Sequence, residues 1–83
     1  MYSVYILHSE NKNRYYIGYT SDLPARHQRH NQGRSRYTRS GIPWKLVHRE
    51  QFDMKSDAIK RERQIKSYKG GEAFKQLLEL NIS

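Results

Sequence analysis

Two stretches decide the fold: Tyr2-Ser3-Val4-Tyr5-Ile6-Leu7 and Tyr15-Tyr16-Ile17-Gly18-Tyr19. Both are dense in β-branched and aromatic residues, which suit a pleated strand, and the polar run Ser9-Glu10-Asn11-Lys12-Asn13 lies between them. A β-hairpin is the economical reading. Just downstream, Thr20-Ser21-Asp22 offers a choice of N-caps and Pro24 falls where a first helical turn tolerates it, so a helix is expected to run toward Asn31, with Gly33 beyond its end. Leu23 and Ala25 are its only apolar residues before a run of His, Gln and Arg, which predicts a surface helix with its basic side outward. Residues 34–43 read as a loop, and Trp44-Lys45-Leu46-Val47-His48-Arg49 alternates well enough for a third strand. The cap pair Ser56 and Asp57 opens a helix with Ala58, Ile59, Glu62 and Ile65 close to one face. After Gly70-Gly71, helical spacing of Phe74, Leu77 and Leu78 predicts a last helix docked on the core. The expected architecture is α/β (α+β): a small three-stranded antiparallel sheet flanked by helices, in the order β-β-α-β-α-α, as one domain over residues 1–83.

Composition narrows the function. The 83 residues are 35% hydrophobic and carry a formal net charge of +8, with a mean hydropathy of -1.09. The core must be small, and seven tyrosines and one tryptophan supply much of what can be buried. No carboxylate occurs between Asp22 and Glu50, whereas Arg26, Arg29, Arg34, Arg36, Arg39, Lys45 and Arg49 all do. Interleaved with His30, Asn31, Tyr37, Thr38 and Trp44, this one-signed stretch offers phosphate donors together with stacking rings, which favours nucleic acid over a basic face that serves solubility alone. It lacks the bulky apolar face that a membrane-surface helix needs. The absence of cysteine excludes disulfides and thiolate metal sites. Residues 2–7 are too short for a secretory segment and follow no basic region, so the N-terminus is expected to belong to the fold and the protein to the cytoplasm.

Ser3-Val4-Tyr5 followed by Tyr16-Ile17-Gly18 resembles the paired signature of the GIY-YIG nuclease family. Further motifs follow in family order: Arg26-x3-His30-Asn31, Tyr37-Thr38-Arg39, Pro43-Trp44-x-Leu46-Val47, and Ala58-Ile59-x-Arg61-Glu62-x-Gln64-Ile65-Lys66. The likeness is to the short stand-alone members and covers nearly the whole chain. Ser3 and Val4 depart from the eponymous glycine and isoleucine, and Asn81, a possible match to a C-terminal asparagine, lacks the proline expected after it.

The resemblance implies a metal-dependent endonuclease using Mg²⁺ or Mn²⁺ on nucleic acid, DNA before RNA, in repair or recombination, with another protein as a candidate source of target choice. It places the Tyr5 and Tyr16 hydroxyls in the active site, one of them as general base. A phenol with a pKa of about 10 needs nearby positive charge or a proton relay for that role, and the sequence leaves open which tyrosine it is. Arg26 and His30, four apart, share a helix face, Arg26 to clamp a phosphate and His30 to move a proton. Glu62 becomes the metal ligand and Lys66 a second cation, while Arg29, Arg34, Arg36, Tyr37 and Arg39 would contact the nucleic acid. Structural readings stand beside these. Either tyrosine could simply pack its ring in a strand, Glu62 and Lys66 could form an i,i+4 ion pair worth about 0.3–0.5 kcal/mol, and Trp44 suits the core better than a base-stacking role. Gly18 reads as backbone room beside the tyrosines or as a bulge. A zinc site on His27 and His30 is rejected because no third ligand has suitable spacing. The alternative to an enzyme is a non-catalytic nucleic-acid-binding module or adaptor on the same fold.

Overall fold

A computed structural model describes residues 1–79. Strands β1 (Tyr2–Ser9) and β2 (Arg14–Thr20) form the hairpin, followed by helix α1 (Leu23–Asn31), strand β3 (Trp44–Phe52), and helices α2 (Lys55–Ser67) and α3 (Glu72–Glu79). The sheet is antiparallel in the order β2-β1-β3, so the first strand is the central one. Asn13 turns the hairpin at φ +50°, a left-handed conformation that asparagine adopts more readily than most residues. The connection between α1 and β3 is the expected loop, interrupted by one 3₁₀ turn at Arg39–Gly41.

Pairing on both edges and packing on both faces leave Val4, Tyr5, Ile6 and Leu7 with no exposed surface. That is why β1 reads as a nearly continuous apolar run rather than an alternating one. On one face Val4 and Ile6 pack with Ala58 and Ile65 of α2 and Phe74 and Leu77 of α3. On the other, Tyr5 and Leu7 pack with Leu23 of α1 and Trp44 of β3. Burying each large apolar side chain stabilises the fold by about 1.5–3 kcal/mol. Asn81 lies outside the described residues.

The helix ends show how sequence and structure agree and differ. Asp22 is the N-cap of α1, its Oδ1 accepting from the Ala25 amide at 3.2 Å. Helix α2 begins one residue before the expected cap pair, at Lys55, and Met54 caps it without a side-chain bond. Asp57 therefore falls in the first turn, where its charge suits the helix dipole. What fixes α2 on the sheet is a charge network: Arg61 grips Glu50 of β3 with Nε at 2.9 Å and Nη2 at 3.0 Å, and His48 Nε2 meets the same carboxylate at 2.7 Å. Burial pushes the Glu50 carboxyl up, but the bonds and charges of Arg61 and His48 outweigh it and hold the group below its ordinary value.

Candidate active site

In the hairpin register Tyr5 faces Gly18 and Leu7 faces Tyr16, so both tyrosines lie on the α1 side of the sheet, on the diagonal. Their ring centroids are 6.2 Å apart. A Cβ at Gly18 would stand 2.7 Å from Tyr5 Oη and 3.2 Å from Tyr16 Cε1, so only glycine leaves room beside the Tyr5 hydroxyl. This selects the reading of Gly18 as room for the tyrosines.

His30 is buried at 2% exposure at the end of α1. Its Nε2 lies 3.1 Å from Tyr5 Oη and its Nδ1 2.8 Å from Thr38 Oγ1. The Thr38 hydroxyl in turn points its proton at the Ser35 carbonyl, 3.5 Å away. On that contact we assign Thr38 as the acceptor of Nδ1–H, which leaves Nε2 of the neutral imidazole to accept from the Tyr5 O–H. Burial lowers the His30 pKa, and Arg26, His27 and Arg29 lower it further, so the ring is held neutral. Burial raises the pKa of Tyr5, as does Tyr16 beside it. Arg26, by its charge and a hydrogen bond to the phenol, works in the opposite direction. A standing phenolate is thus disfavoured, while a route for the proton into His30 is in place.

A cavity of ≈ 500 Å³ opens beside the two tyrosines, lined among others by Tyr5, Tyr16, Gly18, Arg26, Glu62 and Lys66. Glu62 reaches it from α2, with its side chain 13% exposed and Oε1 3.1 Å from Lys66 Nζ. The expected ion pair is therefore present, and the carboxylate lines the same cavity as the two tyrosines. Among the described residues no three His, Cys, Asp or Glu side chains gather to hold a metal. Glu62 is the carboxylate in the described lining of this cavity that could hold Mg²⁺, which keeps several waters and takes one or two carboxylates plus substrate phosphate.

The remaining expected residues separate. Arg29, Arg34 and Arg36 line a second opening of ≈ 320 Å³ with Tyr16, Arg26 and His30, and Tyr16 and Arg26 line both openings. Tyr37 is 82% exposed and its ring stands 6.1 Å from that of Tyr16. Arg39 lines neither opening; its Nε donates to the Gly33 carbonyl at 3.0 Å and closes the loop. Trp44 is core, with Nε1 donating to the Thr38 carbonyl at 2.7 Å. His27 is no zinc ligand: its Nε2–H donates to the Trp44 carbonyl at 2.7 Å. Asn31, read as a phosphate donor, instead spans the Trp44 backbone, accepting from its amide at 2.6 Å and donating to its carbonyl at 3.0 Å. Sequence reasoning also missed Lys55, which lines the main cavity. Its spacing of seven from Glu62 puts the two on one helix face and was the available signal.

The comparisons with known proteins follow the same residues. The model of the GIY-YIG catalytic domain matches residues 1–73. A UPF0213 protein of Haloquadratum walsbyi is 50% identical over 54 residues, 64% of this chain and 61% of that protein. One from Staphylococcus aureus is 44% identical over 54 residues, 64% of this chain and 66% of that protein. The match thus spans less than two thirds of these relatives' length. The solution NMR structure of a UPF0213 protein from Bacillus halodurans is similar with a TM-score of 0.60 and 33% identity, covering 96% of this chain and 85% of that one. With its paired strand signature, its order of elements and a family match over residues 1–73, the chain belongs to the GIY-YIG family, a family of nucleases.

Proposed function

We propose that this protein is a metal-dependent endonuclease that hydrolyses phosphodiester bonds, DNA being the first substrate to try. The observation that carries the reading is the hydrogen-bonded chain from Tyr5 Oη through His30 to Thr38, its Tyr5 end in the wall of a cavity that also presents Arg26 and Glu62. Attack on the phosphate forms a bond from water oxygen to phosphorus and breaks the bond to one ester oxygen. The water's proton passes to Tyr5 as the phenol proton passes to His30 Nε2, so no free phenolate accumulates. Arg26 grips the phosphate oxygens and favours negative charge on Tyr5. The departing alkoxide takes its proton from solvent, and His30 returns its own when the product leaves. Glu62 would hold Mg²⁺ or Mn²⁺, which supplies Lewis-acid stabilisation of charge at the phosphoryl group when bound. Arg29, Arg34, Arg36 and Lys66 flank the site and suit the neighbouring phosphates.

The Glu62–Lys66 contact favours a second reading, a binding module whose carboxylate is neutralised by its own lysine. One experiment separates them: single-stranded, duplex and branched DNA and RNA incubated with the purified protein and Mg²⁺, Mn²⁺ or EDTA. Metal-dependent products that disappear with EDTA support the enzyme. Binding without products under every metal condition supports the module.

A further inference from the structure

Beside the main cavity lies a cleft of ≈ 400 Å³ lined by Tyr15, Tyr16, Ile17, Tyr37 and Lys66. It crosses β2, an edge strand. Tyr16 and Lys66 line both spaces, so the cleft adjoins the place where a phosphate would be cut. Two of its rings are left exposed, Tyr15 by 44% and Tyr37 by 82%, in a chain with little aromatic surface to spare. Tyr15 is braced, its ring 4.6 Å from His8 and edge-on to Phe74 at 5.0 Å. Tyr37 and Tyr16 are inclined by 52° with centroids 6.1 Å apart, so they do not cover each other's faces.

Tyrosine faces beside a cation that borders the phosphate cavity are what a nucleotide needs: ring on ring for the base and Lys66 for the backbone. The volume is within the range of ligand pockets, about 300–1,000 Å³. In a duplex both faces of each base are covered by its neighbours, so only an unstacked base could enter. We propose that this cleft is a nucleobase subsite that takes an unpaired base next to the scissile phosphate, and so gives the protein a preference for single-stranded DNA. The proposal rests on the nuclease reading and names its substrate class.

Tyr37 gives the test, because a side chain so exposed can be replaced without disturbing the core. Binding is measured in EDTA, where nothing is cut, with a single-stranded DNA oligonucleotide, the same length of duplex, and an oligonucleotide of abasic sugar-phosphate units. Loss of one stacked base corresponds to about a tenfold weakening, within the span found for such contacts. Tyr37→Ala should weaken single-strand binding by about that factor and leave duplex binding unchanged, while Tyr37→Phe keeps wild-type affinity. The abasic strand should bind the wild type weakly and be indifferent to Tyr37→Ala. Equal affinity of wild type and Tyr37→Ala for the intact single strand, or of the wild type for intact and abasic strands, overturns the subsite. The nuclease reading fails separately, by the absence of metal-dependent cleavage, which this assay does not register.

Discussion

The two faces of the sheet bury comparable rings and aliphatic chains, yet they are built for different purposes. Under α2 and α3, Val4 and Ile6 meet Ala58, Ile65, Phe74 and Leu77, and the Glu50–Arg61 pair fixes the helix on the strand. Under α1, Tyr5 and Leu7 meet Leu23 and Trp44, and a line of polar groups runs through the same layer: Tyr5, His30, Thr38. A buried hydroxyl and imidazole add less to stability than apolar groups of the same size unless every polar atom is bonded. No buried side-chain nitrogen or oxygen among the described residues lacks a partner. In the proposed reaction the α1 face serves to place protons and the α2 face to hold the fold, with Glu62 and Lys66 as the part of α2 that reaches the cavity.

The largest effect that would sharpen this division is on Glu62. Glu62→Gln keeps the shape and removes the charge a divalent cation needs, so cleavage should fall by about a thousandfold or more while nucleic-acid binding is retained or strengthened. Undiminished cleavage in excess Mn²⁺ as well as Mg²⁺ would reduce Glu62 to the partner of Lys66. On the opposite face, Ile65→Ala should cost about 2–5 kcal/mol in denaturant unfolding and leave turnover per folded molecule unchanged. A variant that stays stable but inactive would erase the contrast.

Arg26→Lys keeps the charge but loses the fork, so turnover should fall about 10- to 100-fold, and more than binding does. The same change at exposed Arg29 should lower turnover less, and equal effects would return Arg26 to a generic basic helix. The smallest effect is the pH dependence of stability, which the two faces should show in different windows. His30 has a folded pKa below its ordinary 6.5, so its contribution is present above that value and lost as pH falls through the depressed one. Glu50, held below its ordinary 4.5, contributes above that value and loses its contribution at still lower pH. Thermal melts from pH 8 to pH 3 should fall in two stages, and Glu50→Gln should remove the lower stage only.

Much of this was legible in the sequence, for identifiable reasons. The hairpin follows from β-branched and aromatic content, α1 from its cap and proline, and α2, α3 and the apolar role of Phe74 and Leu77 from helical spacing, all of which a local reading detects. Tyr5, Tyr16, Arg26 and Glu62 are singled out by the family order, and the fold brings the four to one cavity. His30 was expected at the site, but its burial between a strand tyrosine and a loop threonine depends on contacts 25 and 8 residues away. The same is true of Asn31, whose service to the Trp44 backbone has no signature in composition. Glu50 and Arg61 were unreadable as a pair because they lie 11 residues apart on elements whose packing the sequence does not state. The Gly41 backbone is a further case. A Cβ there would come 2.5 Å from Trp44 Cζ2, a constraint set by the ring and invisible in the loop sequence.

In the proposed reaction Tyr5 receives the water's proton and hands its own to His30. Single-turnover cleavage measured from pH 5 to pH 9 tests it on wild type, Tyr5→Phe and Tyr16→Phe. The wild-type rate should rise with pH through a pKa below the ordinary histidine value and then level off, because His30 must be neutral to accept. Tyr5→Phe should lose about 10²- to 10⁴-fold in rate, the range of general base catalysis, and Tyr16→Phe markedly less. Wild-type cleavage by Tyr5→Phe, with the rate lost in Tyr16→Phe, would contradict the account and move the base to the more exposed tyrosine.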